Sequence, residues 1–423
     1  MHSLAWMALT MAGCQSGVFI GSGEDDGGPS HPVISVDDTG DTADTAEPTG
    51  NGVDVPNWNL LFADDYVMEI ELTISDESYQ ALVQDPFTYT RVRMELLDET
   101  LDVGVRLKGS STYDSIQGKP SLKVQIDRYD QSAEIFGVES FNLHNLRYDP
   151  SLMAESIAYR VYREAGVPAP RVGYAAVVIN GQYKGLYSIV EQKNEEFIRM
   201  WWDGADDEGT LYEGGWSCDL DFQGGSCGCM EIDREGVTET AELQALCHAA
   251  TLTGDDFYAA ITERLDWKMF MHHMALDAVL AHWDSYGGNL NNWHLYHAPE
   301  QDKWSMSPWS TDLAFGWNPW DWTGCGSYGT NPYDYGQGVV MQTCLMHTGC
   351  RADYELALHE MAEHVASLDT STWITEQTAL VEPYITKETQ WAYNSNDFQQ
   401  QVGCIQQFLL QRPDVIHNSI PAP

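Results

Sequence analysis

Between His282 and Gly316 the chain sets Asp284 and Asn289 five residues apart and follows them with Asp312, in Asp-Leu-Ala-Phe-Gly. An aspartate so placed can accept the proton of an attacking hydroxyl, and a carboxamide five residues on can hold magnesium; phosphoryl-transfer loops divide the labour in this way. Asp312, shortly before Phe315 and Gly316, offers a second metal contact. Gly287, Gly288 and Asn289 would suit an ordinary turn equally well. The spacing therefore takes its meaning from what lies upstream.

Residues Val67–Ile74, Arg91–Leu96 and Val103–Leu107 alternate apolar and polar as strands do, and the last run feeds Lys108-Gly109-Ser110-Ser111. Ser121–Ile126 alternates again, with Leu122, Val124 and Ile126 on one face and Lys123 on the other. A strand lysine behind a Gly/Ser loop can hold nucleotide phosphates, and it can equally serve a cross-strand ion pair. Asp149-Pro150-Ser151 opens a helix that Gly166 and Pro168 end. Glu155, in its first turns, is placed either to meet the strand lysine or to complement the helix dipole. Tyr174–Ile179 and Tyr183–Glu191 flank Asn180-Gly181, a strong hairpin signal.

After Glu191 the pattern turns helical. Trp267–Leu280 has helical spacing and delivers His282-Trp283-Asp284 at its end. Residues 317–350 read as a long disulfide-tied loop, and Asp353–Leu368, Ser371–Ile385 and Asp397–Leu410 as closing helices, the last ended by Pro413. His272, His273 and His282 form no His-Glu-x-x-His pattern and read as packing or surface residues.

Taken in order, Val105-Arg-Leu-Lys-Gly-Ser-Ser111, Lys119-Pro-Ser-Leu-Lys123, Asp149-Pro-Ser with Glu155, Gly166-Val-Pro-Ala-Pro170, Asn180-Gly-x-Tyr-x-Gly-Leu-Tyr187 with Glu191, Trp283-Asp284 with Asn289 and Asn292, and Pro308-Trp309 with Asp312 and Phe315-Gly316 resemble the CotH kinase family. The resemblance covers roughly residues 62–415. It implies an α+β, atypical bilobal protein-kinase-like fold, with a strand-rich N-terminal lobe and a mainly helical C-terminal lobe. It further implies Asp284 as catalytic base, Asp312 as a ligand of Mg²⁺ or Mn²⁺, and Asn289 or Asn292 completing the metal site. On the ATP side it implies Lys119 or Lys123 at the phosphates, Glu155 as their helix partner, Glu191 at the hinge near the adenine, and Lys108 where the family commonly has arginine. Two further departures are Ser310, where the family carries a carboxylate, and Lys193-Asn194, where an acidic residue is usual.

Composition sets the compartment and the partners. The 423 residues carry a formal charge of −43, which excludes a general nucleic-acid or anionic-membrane surface and suits cations or basic partners. Residues 1–14 resemble a lipoprotein signal ending in a lipobox, Met11-Ala12-Gly13-Cys14, although no Lys or Arg precedes Arg91 and a start codon upstream is expected. Residues 15–56 read as an acidic tether, 57–192 as the strand-rich lobe, 193–415 as the helical lobe and 416–423 as a tail. The eight cysteines other than Cys14 read as disulfides, grouped at 218–247 and 325–350, with Cys404 needing a distant partner. The expectation is a bacterial envelope protein, anchored to the membrane through lipidated Cys14, that transfers the ATP γ-phosphoryl group to Ser or Thr of extracytoplasmic proteins. The rival readings are a non-catalytic surface or coat-assembly module on the same fold and, less favoured, a metal-dependent hydrolase.

Overall fold

The computed structural model describes residues 58–221, 227–320, 325–326 and 329–421; the lipobox at Cys14 and the tether over 15–56 lie outside the described residues. The first lobe runs β1 (Val67–Thr73), α1 (Asp76–Gln84), β2 (Thr90–Leu96), β3 (Glu99–Lys108), β4 (Ser121–Gln125), β5 (Ser140–His144), α2 (Ala154–Glu164), β6 (Val172–Ile179) and β7 (Gln182–Glu191). Its seven strands close into a barrel in the order β1-β2-β3-β4-β5-β7-β6, because β6 returns parallel to β1 with Tyr174 opposite Val67. Period-two alternation fills the interior with Ile70, Leu72, Val92, Met94, Val105, Leu107, Leu122, Val124, Leu143 and Val177, each no more than 1% exposed. Full burial of such a side chain is worth about 1.5–3 kcal/mol. The same alternation turns Arg106, Lys108, Lys123, Asn142 and His144 to the barrel's outer face.

The expected hairpin forms, with Asn180 and Gly181 both at positive φ (49° and 72°), the left-handed pair that a tight turn between twisted strands needs. Asp149-Pro-Ser proves to be a helix-start device: the Asp149 carboxylate accepts from Ser151 N–H and from Ala154 N–H, both at 2.8 Å, at the head of α2.

The second lobe runs α3 (Glu195–Trp201), β8 (Leu211–Gly214), β9 (Met230–Arg234), α4 (Thr240–Ala250), α5 (Gly254–Arg264), α6 (Trp267–Val279), α7 (Tyr286–Asn289), β10 (Trp293–Ala298), β11 (Lys303–Pro308), α8 (Val339–Met346), α9 (Thr348–Ser367), α10 (Thr370–Ile385) and α11 (Ser395–Ser419). Mainly helical as expected, it also holds a four-stranded sheet, β11-β10-β8-β9, that sequence reading missed. Every residue of β10 is buried, so it shows no alternation. Two expectations are corrected. Residues 317–350 include α8, and α11 passes through Pro413 to Ser419, because Ile416 and Ile420 bury their side chains beyond it and hold the helix together.

Cystines join Cys218–Cys229, Cys227–Cys247, Cys344–Cys350 and Cys325–Cys404, so Cys404 does find the distant partner it needs. Such bonds belong to an oxidising setting, extracytoplasmic or within the envelope. Among the described residues no helix is long and apolar enough to cross a membrane.

At the centre of this lobe α6 is buried along most of its length and packs on α9 and α11. Its last carbonyls are answered by Arg412, 2% exposed on α11, which donates through Nε to Val279 O (3.0 Å) and through a terminal nitrogen to Ala278 O (2.6 Å). Arg412→Ala removes both bonds and leaves Val279 O without this donor, while Ala278 O keeps the Ala281 N–H at 3.1 Å; it is expected to lower unfolding free energy by about 3 kcal/mol in chemical denaturation. A loss below about 1 kcal/mol would contradict this role for the arginine.

Candidate active site

The loop leaving α6 and the hairpin β10–β11 together fix both aspartates. Asp284 follows α6, and α7 turns back over it. A Cβ on Gly288 would stand 2.2 Å from Trp283 O, so that glycine is there for close approach. Asn292, at φ 54°, leads into β10, and Trp309 N–H closes the base of the hairpin on Asn292 O at 2.9 Å. Asp312 then lies in a short turn held from two sides. Thr311 Oγ1 donates to Glu155 O (3.3 Å), and Phe315 N–H donates to Leu280 O (2.6 Å). Ala281, Leu290, Asn292, Ser310 and Phe315 all adopt left-handed backbone, a concentration of strain typical of functional sites.

Three carboxamides grip the Asp284 carboxylate: Asn289 at 2.6 Å, Asn292 at 2.9 Å and Asn291 at 3.3 Å. Sequence reading missed Asn291, whose signal was its place in the run Asn289-Leu-Asn-Asn292. Asp312 accepts a hydrogen bond from Ser310 Oγ (2.9 Å), so the residue that replaces a family carboxylate supplies a donor. Burial, reinforced by Glu155, Asp149 and Asp284, pushes the Asp312 carboxyl up to about 8. The two aspartates therefore share one electrostatic site.

Glu155 corrects an expectation. It does not pair with Lys123; its carboxylate meets His144 Nδ1 at 2.9 Å, and His144 Nε2 meets Lys108 Nζ at 2.6 Å. A carboxylate can only accept and an ammonium can only donate, so the imidazole is the neutral tautomer with its proton on Nδ1. Burial holds His144 below its ordinary value, in keeping with that neutral form, and draws Lys108 down to about 8. Trp309 backs the relay, its ring centroid 5.1 Å from Lys108 Nζ and edge-on to His144 at 6.0 Å. His144 was missed in the sequence; its outward position on β5 beside Lys123 was the available signal.

A second Lys–His–carboxylate line reaches the same indole. Lys193, 2% exposed, donates to Pro308 O (2.7 Å), contacts His294 Nδ1 (3.2 Å) and lies 5.2 Å from the Trp309 centroid. His294 Nε2 is 3.6 Å from Asp233. Burial holds Lys193 well below its ordinary value. This is what occupies the place where the family carries acid.

The remaining candidates divide. Lys123 is half-buried and makes no hydrogen bond or ion pair among the described residues; its field comes from Asp233, Arg106 and Glu213, which leaves its ammonium open to an anion. Lys119 and Glu191 are committed elsewhere. Lys119 forms a buried 3.0 Å ion pair with Glu388, and Glu191 is clamped by Arg171 through its backbone N–H (3.0 Å) and its guanidinium. Of the histidines, His272 meets Glu360 at 2.9 Å. His273 and His282 are buried and flank buried Asp277 at 3.5 and 3.7 Å, packing residues ahead of the Asp284 loop.

Among the described residues no group of three or more His, Cys, Asp or Glu forms a metal cage. The fit to a hard divalent cation rests on the oxygen chemistry of Asp312, whose carboxylate has Ser310 Oγ at 2.9 Å and is raised by burial and by nearby Glu155, Asp149 and Asp284.

Two expectations follow. An acid whose folded value is raised stabilises the fold at low pH and loses that contribution as pH climbs through the raised value. In chelator the Asp312 contribution should therefore be lost steadily from about pH 4 up to about 8, lowering the melting temperature across that window. Asp149 and Glu196, raised to about 6 and about 7, act in the same sense at lower pH, whereas Lys108 acts oppositely only above about 8. Asp312→Asn should flatten the upper part of that fall, and an unchanged profile would contradict the assignment. His144→Leu, which strands Lys108 and Glu155, should lower stability by about 2–4 kcal/mol, and His144→Gln by less; equal losses would count against the relay.

The motifs from Val105 to Gly316 lie within a stretch, residues 105–416, that matches the family model described as CotH kinase protein. The inner spore coat protein H of Bacillus subtilis (strain 168) is 24% identical over 230 residues, covering 53% of this chain and 61% of that protein. Invasin CotH2 of Rhizopus delemar is 22% identical over 269 residues, 59% of this chain and 45% of that protein. The similarity thus spans about half of the length of these relatives. A solved structure, the Helicobacter pylori proinflammatory kinase CtkA, aligns over 74% of this chain and 95% of its own with 11% identity and a TM-score of 0.32, too low to bear on fold or activity. On the family match, which takes in well over half of its 423 residues, the chain belongs to the CotH kinase protein family.

Proposed function

We propose that this chain is an envelope kinase, tethered through lipidated Cys14, that transfers the ATP γ-phosphoryl group to Ser or Thr hydroxyls of extracytoplasmic proteins. The observation that carries the reading is the joint placement of Asp284 and Asp312 at the two feet of one hairpin, with Lys108 held through His144 and Glu155 alongside.

Asp284, oriented by Asn289, Asn291 and Asn292, takes the hydroxyl proton as the oxygen attacks phosphorus. Lys108 and Lys123 lie on the barrel's outer face as counter-charges for phosphate oxygens. Mg²⁺ or Mn²⁺, held by Asp312 with Asn289 or Asn292, would supply neutralisation of the charge developing on the phosphates. Lys119 and Glu191, both spoken for, brace the lobe around the site.

A non-catalytic coat or surface module is the second reading. It is favoured by Ser310 in the place of a carboxylate, and by the three amides that already occupy Asp284. Purified protein separates the two. Mg-ATP should raise the melting temperature, and label from [γ-³²P]ATP should enter protein in wild type and fall at least about 100-fold in Asp284→Ala. Absence of both effects with Mg²⁺ and Mn²⁺ would favour the module. Hydrolysis of ATP or a phosphoester without protein labelling would point to a hydrolase.

A further inference from the structure

A cavity of about 920 Å³ opens between the first lobe and the start of α11, and neither Asp284 nor Asp312 lines it. Its size lies at the upper end of small-ligand clefts. Four aromatic side chains wall it: Tyr148, Trp317, Trp391 and Tyr393. Trp317 is fixed by an Nε1–H bond to Tyr148 O at 2.7 Å, and Trp391 stands edge-on to Tyr393 at 5.4 Å. The Trp391 indole N–H is buried and has no acceptor among the described residues. Gln390, Gln400 and Gln401 also line it with carboxamides, while that of Asn145 is spent on Thr112 O, Lys119 O and Arg147 N–H. The Cys325–Cys404 disulfide forms part of the wall and holds it together.

The cations of this cavity are already matched. Lys119 is taken by Glu388 at 3.0 Å, Arg147 faces Asp114 at 3.7 Å, and Asp397 accepts from Asn394 N–H at 2.9 Å at the head of α11. No uncompensated cation waits for a phosphate. None of the lining residues belongs to a strand, so a peptide cannot dock by extending a sheet. What remains is a lining of aromatic rings and neutral amides. A pyranose matches this, with C–H faces that stack on indole and phenol rings and hydroxyls that pair with the amides of exposed Gln390 and Gln400.

We infer that this cavity is a binding site for a neutral oligosaccharide, separate from the aspartate site. The inference stands whether or not the chain transfers phosphate. The two regions meet through one hydrogen bond, Trp283 Nε1–H to Trp317 O at 2.7 Å, which links a wall of the cavity to the residue before Asp284.

Isothermal titration of the full chain with cellotetraose, chitotetraose and maltotetraose, each to about 10 mM, tests the assignment. At least one should bind saturably, and Trp391→Ala should weaken that binding roughly tenfold or more. Gln400→Ala, at an exposed position that leaves the fold intact, should weaken it several-fold, and Asp284→Asn should leave it unchanged. No saturable heat with any of the three sugars would overturn the proposal. So would full affinity in both cavity variants, competition by Mg-ATP, or saturable binding of a denatured polypeptide with no response to sugar.

Discussion

Negative charge gathered in one partly closed place is the condition around which this molecule is arranged. Burial, reinforced by Glu155, Asp149 and Asp284, pushes the Asp312 carboxyl up to about 8, and in a chain of net charge −43 no distant surplus of cations relieves it. The local answers are specific. Asp149 is spent on the head of α2, and Glu155 is tied through His144 to Lys108. Asp284 is held by amides, and among the described residues Asp312 keeps only the Ser310 hydroxyl. Neutralising all four internally would leave nothing for a cation to do; Asp312 is the carboxyl left with the least compensation.

Holding such a site open requires a frame that does not yield to the repulsion. The frame comes from long-range contacts. Arg412 on α11 closes the end of α6, Thr311 ties the Asp312 turn to α2, and the β10–β11 hairpin brings Asn292 and Trp309 together. Trp309 has a further part, since both Lys108 and Lys193 lie about 5 Å from its ring centroid. An indole between two lysines spaces two cations without bringing them into contact.

Much of this was legible wherever the signal is local. Strands β1 to β4 announced themselves by alternation, the β6–β7 turn by Asn180-Gly181, and the Asp284 and Asp312 motifs by order and spacing. Closure of the barrel was not legible, because the parallel pairing of β6 with β1 joins segments far apart in sequence. Strands β10 and β11 hid because burial on both faces erases alternation. The partners of Lys108, Lys119 and Glu155 are tertiary facts: one helix glutamate had several basic residues within conceivable reach, and an intervening His144 decided which it met. Pro413 misled for a related reason, since the helix continues where packing outweighs the lost hydrogen bond.

Burial, together with the nearby carboxylates, keeps Asp312 protonated until a divalent cation with its nucleotide displaces the proton. Calorimetric titration of Mn²⁺ with a non-hydrolysable ATP analogue at pH 7, repeated in buffers of different ionisation enthalpy, measures that proton directly. The account predicts release of about one proton per complex in wild type and much less in Asp312→Asn. Binding with no buffer dependence in wild type, or with identical proton release in Asp312→Asn, would contradict it.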